Sequence, residues 1–137
     1  ETSSAVAVFE VNAGRLKQVQ ELSTLPADYK GRNSTAEILI DAAGKFVYVS
    51  NRGHDSLAVF SVDPKSGMLT YVRNVSSGGR TPRNMSFDPS GEFLFASNQG
   101  SNDVVVFRVD PRTGDLKPTG TKLEISTPGS VQFIRAR

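Results

Sequence analysis

The sequence predicts an all-β chain: part of a β-propeller, with about two to three four-stranded antiparallel blades. Three observations carry that expectation. Long segments repeat at an offset of 47 residues. Within each repeat, short runs rich in β-branched and aromatic residues alternate with turns built on Asp, Pro and Gly. No segment keeps a helical period, and good helix formers are nowhere clustered.

The repeat is explicit in the residues. DAAGKFVYVSN, from Asp41 to Asn51, maps onto DPSGEFLFASN, from Asp88 to Asn98. The same offset carries Ala58–Pro64 onto Val105–Pro111, Gly67 onto Gly114 and Leu69 onto Leu116. Val8-Phe9-Glu10-Val11 matches Val59-Phe60-Ser61-Val62, and Pro128–Phe133 echoes Pro82–Phe87. A period in the forties with four short strands per unit is the mark of a propeller blade.

The elements follow in order. Ala5–Val11 reads as a strand, Asn12-Ala13-Gly14 as a turn and Leu16–Leu22 as a more polar strand. These are strands c and d of one blade, spanning 1–24. Ser23–Ser34 has Pro, Gly and polar residues without a period and reads as a loop. The second blade, 36–76, takes strands a to d at Ile38–Ile40, Phe46–Val49, Leu57–Val62 and Leu69–Val75. Ser76–Pro82 is a flexible loop. The third blade, 83–124, takes them at Met85–Phe87, Phe93–Ala96, Val104–Val109 and Leu116–Leu123. The inner strand of a closing blade is expected over 128–135. Strands b and c are the most continuously apolar, as burial on both faces requires. Strand d is more polar, and its Pro118 suits an outer edge. A separate β-sandwich or β-sheet domain is the alternative.

A propeller closes only with several blades, typically four to eight. The chain is therefore expected to be a piece of a larger ring, exposing apolar blade faces at both ends. Either the remaining N-terminal blades or self-association would cover them; a lone β domain that oligomerises to close a ring is a further reading.

Composition excludes several classes. The chain has 137 residues, with 16 Lys+Arg against 14 Asp+Glu, a net charge of +2. The basic residues are scattered, so no nucleic-acid partner is expected. There is no cysteine, which excludes disulfides and thiolate metal sites. One His and dispersed carboxylates make no metal-ligand spacing, so no metal and no cofactor are expected. No apolar stretch is long enough to span a membrane, so no membrane partner is expected. The chain starts at Glu1 without an initiator Met or a signal-peptide pattern. A processed or truncated product is expected from that start, and the location is expected to be cytoplasmic. Three Asn-x-Ser/Thr sequons, at Asn33, Asn74 and Asn84, read as chance in a Ser-rich chain.

Meander parity sorts the loops onto two faces. The a–b and c–d connections, Asp41–Gly44, Asp88–Gly91, Asp63–Gly67 and Asp110–Gly114, are Asp-initiated turns ending in Gly. They lack the alternating oxygen ligands of a calcium loop. The b–c loops, Ser50–Ser56 and Ser97–Asp103, share the other face with the d–a loops. That face collects Asn51, Arg52, His54, Asp55, Arg80, Arg83, Asn84, Asn98 and Gln99. Arg83 and Asn84, at the start of an innermost strand, should line the channel mouth. Two arginines converging there would grip a planar anion bidentately. Solvated surface charge is the competing account of both, and for Arg80, Asp55 and Asn98 a structural role is favoured. His54, the only histidine, has the chemistry of a general acid or base, although a lone loop His more often only makes hydrogen bonds.

The stretch Ala36-Glu37-Ile38, then Phe46–Phe60 with its Ser50-Asn51-Arg52-Gly53-His54-Asp55-Ser56 core, then Thr81-Pro82-Arg83-Asn84, resembles the lactonase seven-bladed propeller family. That family includes cycloisomerase-type 6-phosphogluconolactonases and 3-carboxy-cis,cis-muconate lactonizing enzymes. The likeness runs over nearly the whole chain, and Thr127–Phe133 resembles the family's C-terminus. It implies a C-terminal fragment of a seven-bladed propeller and cofactor-free chemistry, hydrolysing or forming a lactone of an anionic sugar acid or muconate-like acid. The partner implied is a small anionic lactone or its open-chain acid. Arg52 matches the family arginine of the b–c loop and Arg83 that of the Pro-Arg motif. Asn51 and Asn84 join them as substrate-binding candidates, and His54 is the catalytic candidate. The family also carries an upstream Gly-Pro-Arg-His motif followed by an Asn-Glu. Here Pro82-Arg83 leads to Asn84, and Asn98 is followed by Gln99. The main acid/base groups are thus expected outside this chain, which alone is expected to be inactive. A non-catalytic propeller scaffold is the alternative function.

Overall fold

In a computed structural model that describes residues 3–134, the chain is all β, with ten strands among those residues. The strands are β1 (Ala5–Asn12), β2 (Arg15–Ser23), β3 (Ser34–Ile40), β4 (Phe46–Arg52) and β5 (Ser56–Val62). β6 (Leu69–Ser76), β7 (Pro82–Phe87), β8 (Phe93–Asn98), β9 (Asp103–Val109) and β10 (Leu116–Glu124) follow. They form a two-stranded sheet β1-β2 and two four-stranded antiparallel sheets, β3-β4-β5-β6 and β7-β8-β9-β10. Every neighbour in a sheet is a neighbour in sequence, as in an up-and-down blade. No helix among the described residues is long and apolar enough to cross a membrane.

The blades pack because strands b and c are apolar on both faces. Along β4, Phe46 and Tyr48 join a core with Met85, Leu94, Ala96, Val105 and Phe107 of the third sheet. Val47 and Val49 point the other way, into a core with Val6, Val8 and Leu22 of the first. This is strand alternation used twice, once for each neighbour. Polar clamps stitch the seams at their outer ends. The Gln20 amide donates to the Leu69 carbonyl and accepts from the Leu69 N–H, both at 2.8 Å. The Tyr48 hydroxyl donates to the Gly114 carbonyl at 3.1 Å. The Asp turns are structural, since Asp41 Oδ1 accepts the Lys45 and Phe46 N–H groups and Asp63 Oδ1 those of Lys65 and Ser66.

The strands differ from their expected bounds in one consistent way. Strands a and b extend further toward the face of interest. β3 begins at Ser34 rather than Ile38, and β7 at Pro82 rather than Met85. β4 runs to Arg52 and β8 to Asn98, so the b–c loops shrink to 53–55 and 99–102. Polar residues pass for loop in a sequence, but Ser50, Asn51, Ser97 and Asn98 are buried ladder members. The inner strand expected over 128–135 is not formed over 128–134, because those residues have no ladder partner among the described residues; Arg135 lies outside them. Phe133 packs edge-on against Phe95, with centroids 5.0 Å apart. Pro118 sits where the β9–β10 register slips, on an edge strand.

At the start of β9 the buried Asp103 carboxylate meets Lys122 of β10 at 2.9 Å. Burial opposes its charge, but hydrogen bonds from Asn98, Lys122 and Ser101, with the Lys122 charge, prevail and hold the carboxyl below its usual range. A carboxyl lowered in the folded state contributes stability above its unfolded value of about 3.9, and that contribution is lost as pH falls through the folded value. Asp103→Asn should therefore flatten the loss of stability on acidification below about pH 4, as measured by urea midpoints across pH.

Candidate functional site

Hydrogen bonds confirm that the b–c and d–a loops share one face. The Ser77 N–H donates to the Asp55 carbonyl at 3.0 Å and the Thr81 N–H to Asp55 Oδ1 at 2.8 Å. The Gln99 and Gly100 N–H groups donate to the Thr81 and Arg80 carbonyls. The d–a loop at 77–81 is thus laced to the b–c loops of two consecutive blades. Asp55 therefore has the structural role that competed for it, as does Asn98, whose amide donates to the Ser77 carbonyl at 3.0 Å.

Two bulges shape the inner rim. The β3–β4 register slips between Thr35 and Ile38, and the β7–β8 register between Pro82 and Asn84. A bulge adds one unpaired residue and re-aims the side chains around it. Arg83 is that residue in β7; it is exposed, and its guanidinium makes no hydrogen bond or ion pair with the other described residues. Its neighbour Asn84 donates to Glu37 Oε2 at 2.6 Å and accepts the Val131 N–H at 3.1 Å. Glu37, Asn84 and Val131 are each 47 residues apart, so this line of bonds crosses equivalent inner positions. Glu37 is a polar rim residue that the motif reading left without a role, although the 47-residue offset already pairs it with Asn84.

Arg52 closes β4 opposite Ser34, half-buried, and its Nη2 donates to the Thr35 carbonyl at 2.9 Å. It is thus anchored on the strand that carries Glu37. Asn51 departs from expectation. It is fully buried, and its amide donates to the Thr24 carbonyl at 2.9 Å and to Ser56 Oγ at 3.3 Å. Its Oδ1 accepts from Thr24 Oγ1 and from Asn33 Nδ2. Asn51 therefore ties blades together and presents no polar edge to a substrate, because the seam at 0% exposure needs its hydrogen bonds.

His54 sits half-buried in a built environment. Its N–H donates to Asn33 Oδ1 at 3.1 Å, its Nδ1 lies 2.6 Å from Ser56 Oγ, and its ring meets Tyr29 edge-on at 4.7 Å. Asn33 and Tyr29 come from the long loop after β2, which no local pattern connected to His54. Asn33, Asn74 and Asn84, the three sequon asparagines, all donate hydrogen bonds within the fold. A separate hollow of about 390 Å³ beside Glu92, Arg108, Asp110 and Arg112 lies on the opposite face. Its cations stand among carboxylates, with Arg108 bridged to Glu92 at 3.5 Å, which weakens it as an anion site.

The tight turn at Gly53 holds the loop in place. Its φ is +126°, and a Cβ there would collide with the Arg32 carbonyl. Gly53→Ala should cost about 2–3 kcal/mol in urea unfolding. Gly44→Ala, also at positive φ but with nothing within 4 Å, should cost about 1 kcal/mol.

Comparison with known proteins agrees with this geometry. A family model described as "Lactonase, 7-bladed beta-propeller" matches residues 1–133. A Bacillus subtilis 6-phosphogluconolactonase is 42% identical over 89 residues, covering 64% of this chain and 26% of that protein. A Pseudomonas aeruginosa periplasmic gluconolactonase superposes with a TM-score of 0.93 at 36% identity, over 98% of this chain and 38% of that one. A Lactobacillus plantarum protein superposes with a TM-score of 0.92 at 32% identity, over 97% of this chain and 39% of that one. The chain thus spans about a quarter of the curated relatives' length, and its sheets are blades of a partial propeller. It belongs to the seven-bladed β-propeller lactonase family.

Proposed function

We propose that this chain supplies the anion-binding rim of a lactonase acting on the lactone of an anionic sugar acid, in the manner of the 6-phosphogluconolactonase relative. The observation that carries the reading is Arg83, pushed out of its ladder by a bulge and exposed without a protein partner among the described residues. A guanidinium so placed suits a carboxylate or phosphate oxygen. Arg52, held on β4 by the Thr35 carbonyl, is the second member of the clamp. Asn84, braced by Glu37, lies beside Arg83 on the same rim.

In hydrolysis a water oxygen adds to the lactone carbonyl carbon, the ring C–O bond breaks, and the departing ring oxygen takes a proton. The arginines stay charged and cannot serve as the base, so their part is to hold and orient the anion. His54 has the chemistry to handle a proton or steady a developing oxyanion. In this reading the water-activating base comes from elsewhere in the complete protein, and the isolated chain turns over no lactone.

Arg52→Ala and Arg83→Ala in the complete protein should each lower kcat/KM for 6-phosphogluconolactone by about 10- to 100-fold, the worth of one charged hydrogen bond. Wild-type turnover in both variants would sink the clamp. No turnover of any lactone by the unaltered protein would favour a binding scaffold. We further propose a cytoplasmic location. Recovery in the periplasmic fraction, the compartment in the Pseudomonas relative's description, would overturn that placement.

A further inference from the structure

We infer that the fold holds the neutral His54 ring in a single tautomer, with its proton on Nε2. On that footing His54 is a hydrogen-bond donor to a ligand oxygen at this rim, rather than a base. The inference follows from counting donors around Ser56, and its ligand part rests on the rim being the substrate face.

The count starts at the Thr24 carbonyl, which can only accept. Asn51 Nδ2 donates to it at 2.9 Å and Asn74 Nδ2 at 3.0 Å. These bonds fix both amides with nitrogen toward Thr24. The opposite ends agree, since Asn51 Oδ1 accepts at 3.0 Å from Asn33 Nδ2, whose own oxygen is fixed by the His54 N–H, and Asn74 Oδ1 accepts from the Tyr71 hydroxyl at 2.7 Å. Both amide nitrogens also reach Ser56 Oγ, at 3.3 and 2.9 Å. A serine hydroxyl has two acceptor positions and one proton. With both acceptor positions filled by amides, the Ser56 proton is left for its remaining neighbour, His54 Nδ1 at 2.6 Å.

Nδ1 therefore accepts. In a neutral imidazole the other nitrogen then carries the hydrogen. The edge contact with Tyr29 limits the ring's freedom to turn over. Nε2 has no hydrogen bond to another described residue. Ser56, 2% exposed, is too enclosed to be a nucleophile; it and Asn74 are positioning residues. On the loop that follows Arg52, such an N–H complements a carboxylate, a phosphate or the oxyanion of an opening lactone.

This chain has a single histidine, and in the complete protein its imidazole is picked out by through-bond assignment from the His54 backbone, so one ring spectrum decides the question. In ¹⁵N-histidine-labelled protein at about pH 9, where an ordinary imidazole is neutral, long-range ¹H–¹⁵N correlation should show the Nε2–H tautomer in roughly tenfold excess or more. An Nδ1–H tautomer, or an even mixture, would overturn the inference, and this wild-type spectrum decides even if variants fail to fold. In a folded Ser56→Ala variant the excess should collapse toward a mixture; an unchanged excess would remove Ser56 from the account. Addition of 6-phosphogluconate to the complete protein should shift the Nε2 resonance, and no shift at saturation would overturn the donor role. A shifted Nε2 in a protein without lactonase activity would instead uphold the donor and sink only the lactonase reading.

Discussion

The hydrogen-bonded asparagine at the end of each strand b is the constraint on which the rest of this structure depends. Where two blades meet, the chain must leave one sheet and enter the next without stranding backbone groups in a seam closed to water. Asn98 spans that gap from β8 to the Ser77 carbonyl, and Asn51 spans it from β4 to the Thr24 carbonyl. Both are fully buried. An unpaired polar group there would cost about 1–3 kcal/mol. The apolar cores on either side supply the adhesion, but they are non-directional and would tolerate sliding. The asparagines set the angle and height at which one blade meets the next, and so decide where the rim residues stand.

With that frame held, the rim can vary. The second and third blades share the loop geometry down to its left-handed residues, Asp55 with φ 55° and Asn102 with φ 57°. Asp55 Oδ1 caps the Thr81 N–H and Asn102 Oδ1 caps that of Thr127. Arg52 and His54 stand where the third blade has Gln99 and Ser101. The inner bulges do similar work, since each frees a residue from the ladder without breaking the strand. Ala36 occupies that position in the second blade and Arg83 in the third. Arg52 and Arg83 thus stand at different positions of successive blades, one at the end of a strand b and the other in the bulge of a strand a.

The strands and blade order were legible because they rest on local signals: apolar runs, Asp-to-Gly turns and a 47-residue self-match. The ends of the strands were not. Ser50 and Asn51 read as loop because buried polar residues look like exposed ones until their partners are known, and Thr24 is 27 residues from Asn51. Separation along the chain likewise hid Asn33, 21 residues away, and Tyr29 from His54, since the loop after β2 has no period that would aim it. Glu37 was within reach, because the offset that maps Phe46 onto Phe93 also maps Glu37 onto Asn84. What the offset lacked was a reason for carboxylate and amide to meet across blades rather than within one.

The first residue of strand c separates the two blades' chemistry. In the third blade it is Asp103, a carboxylate that can only accept; it takes the Asn98 amide and the Lys122 ammonium, and a hydrogen bond from Ser101 of the loop also stabilises its charge. Protons there point from loop to strand. In the second blade the same position is Ser56, which accepts two amides and still has a proton to give. The direction reverses, from strand to loop, and the recipient is His54 Nδ1. An aspartate at 56 would instead demand a proton on Nδ1 and strip it from Nε2 in the neutral ring. The hydroxyl at one buried position therefore accepts the seam amide of Asn51 and, with its one proton, determines which nitrogen of a loop histidine is left to donate.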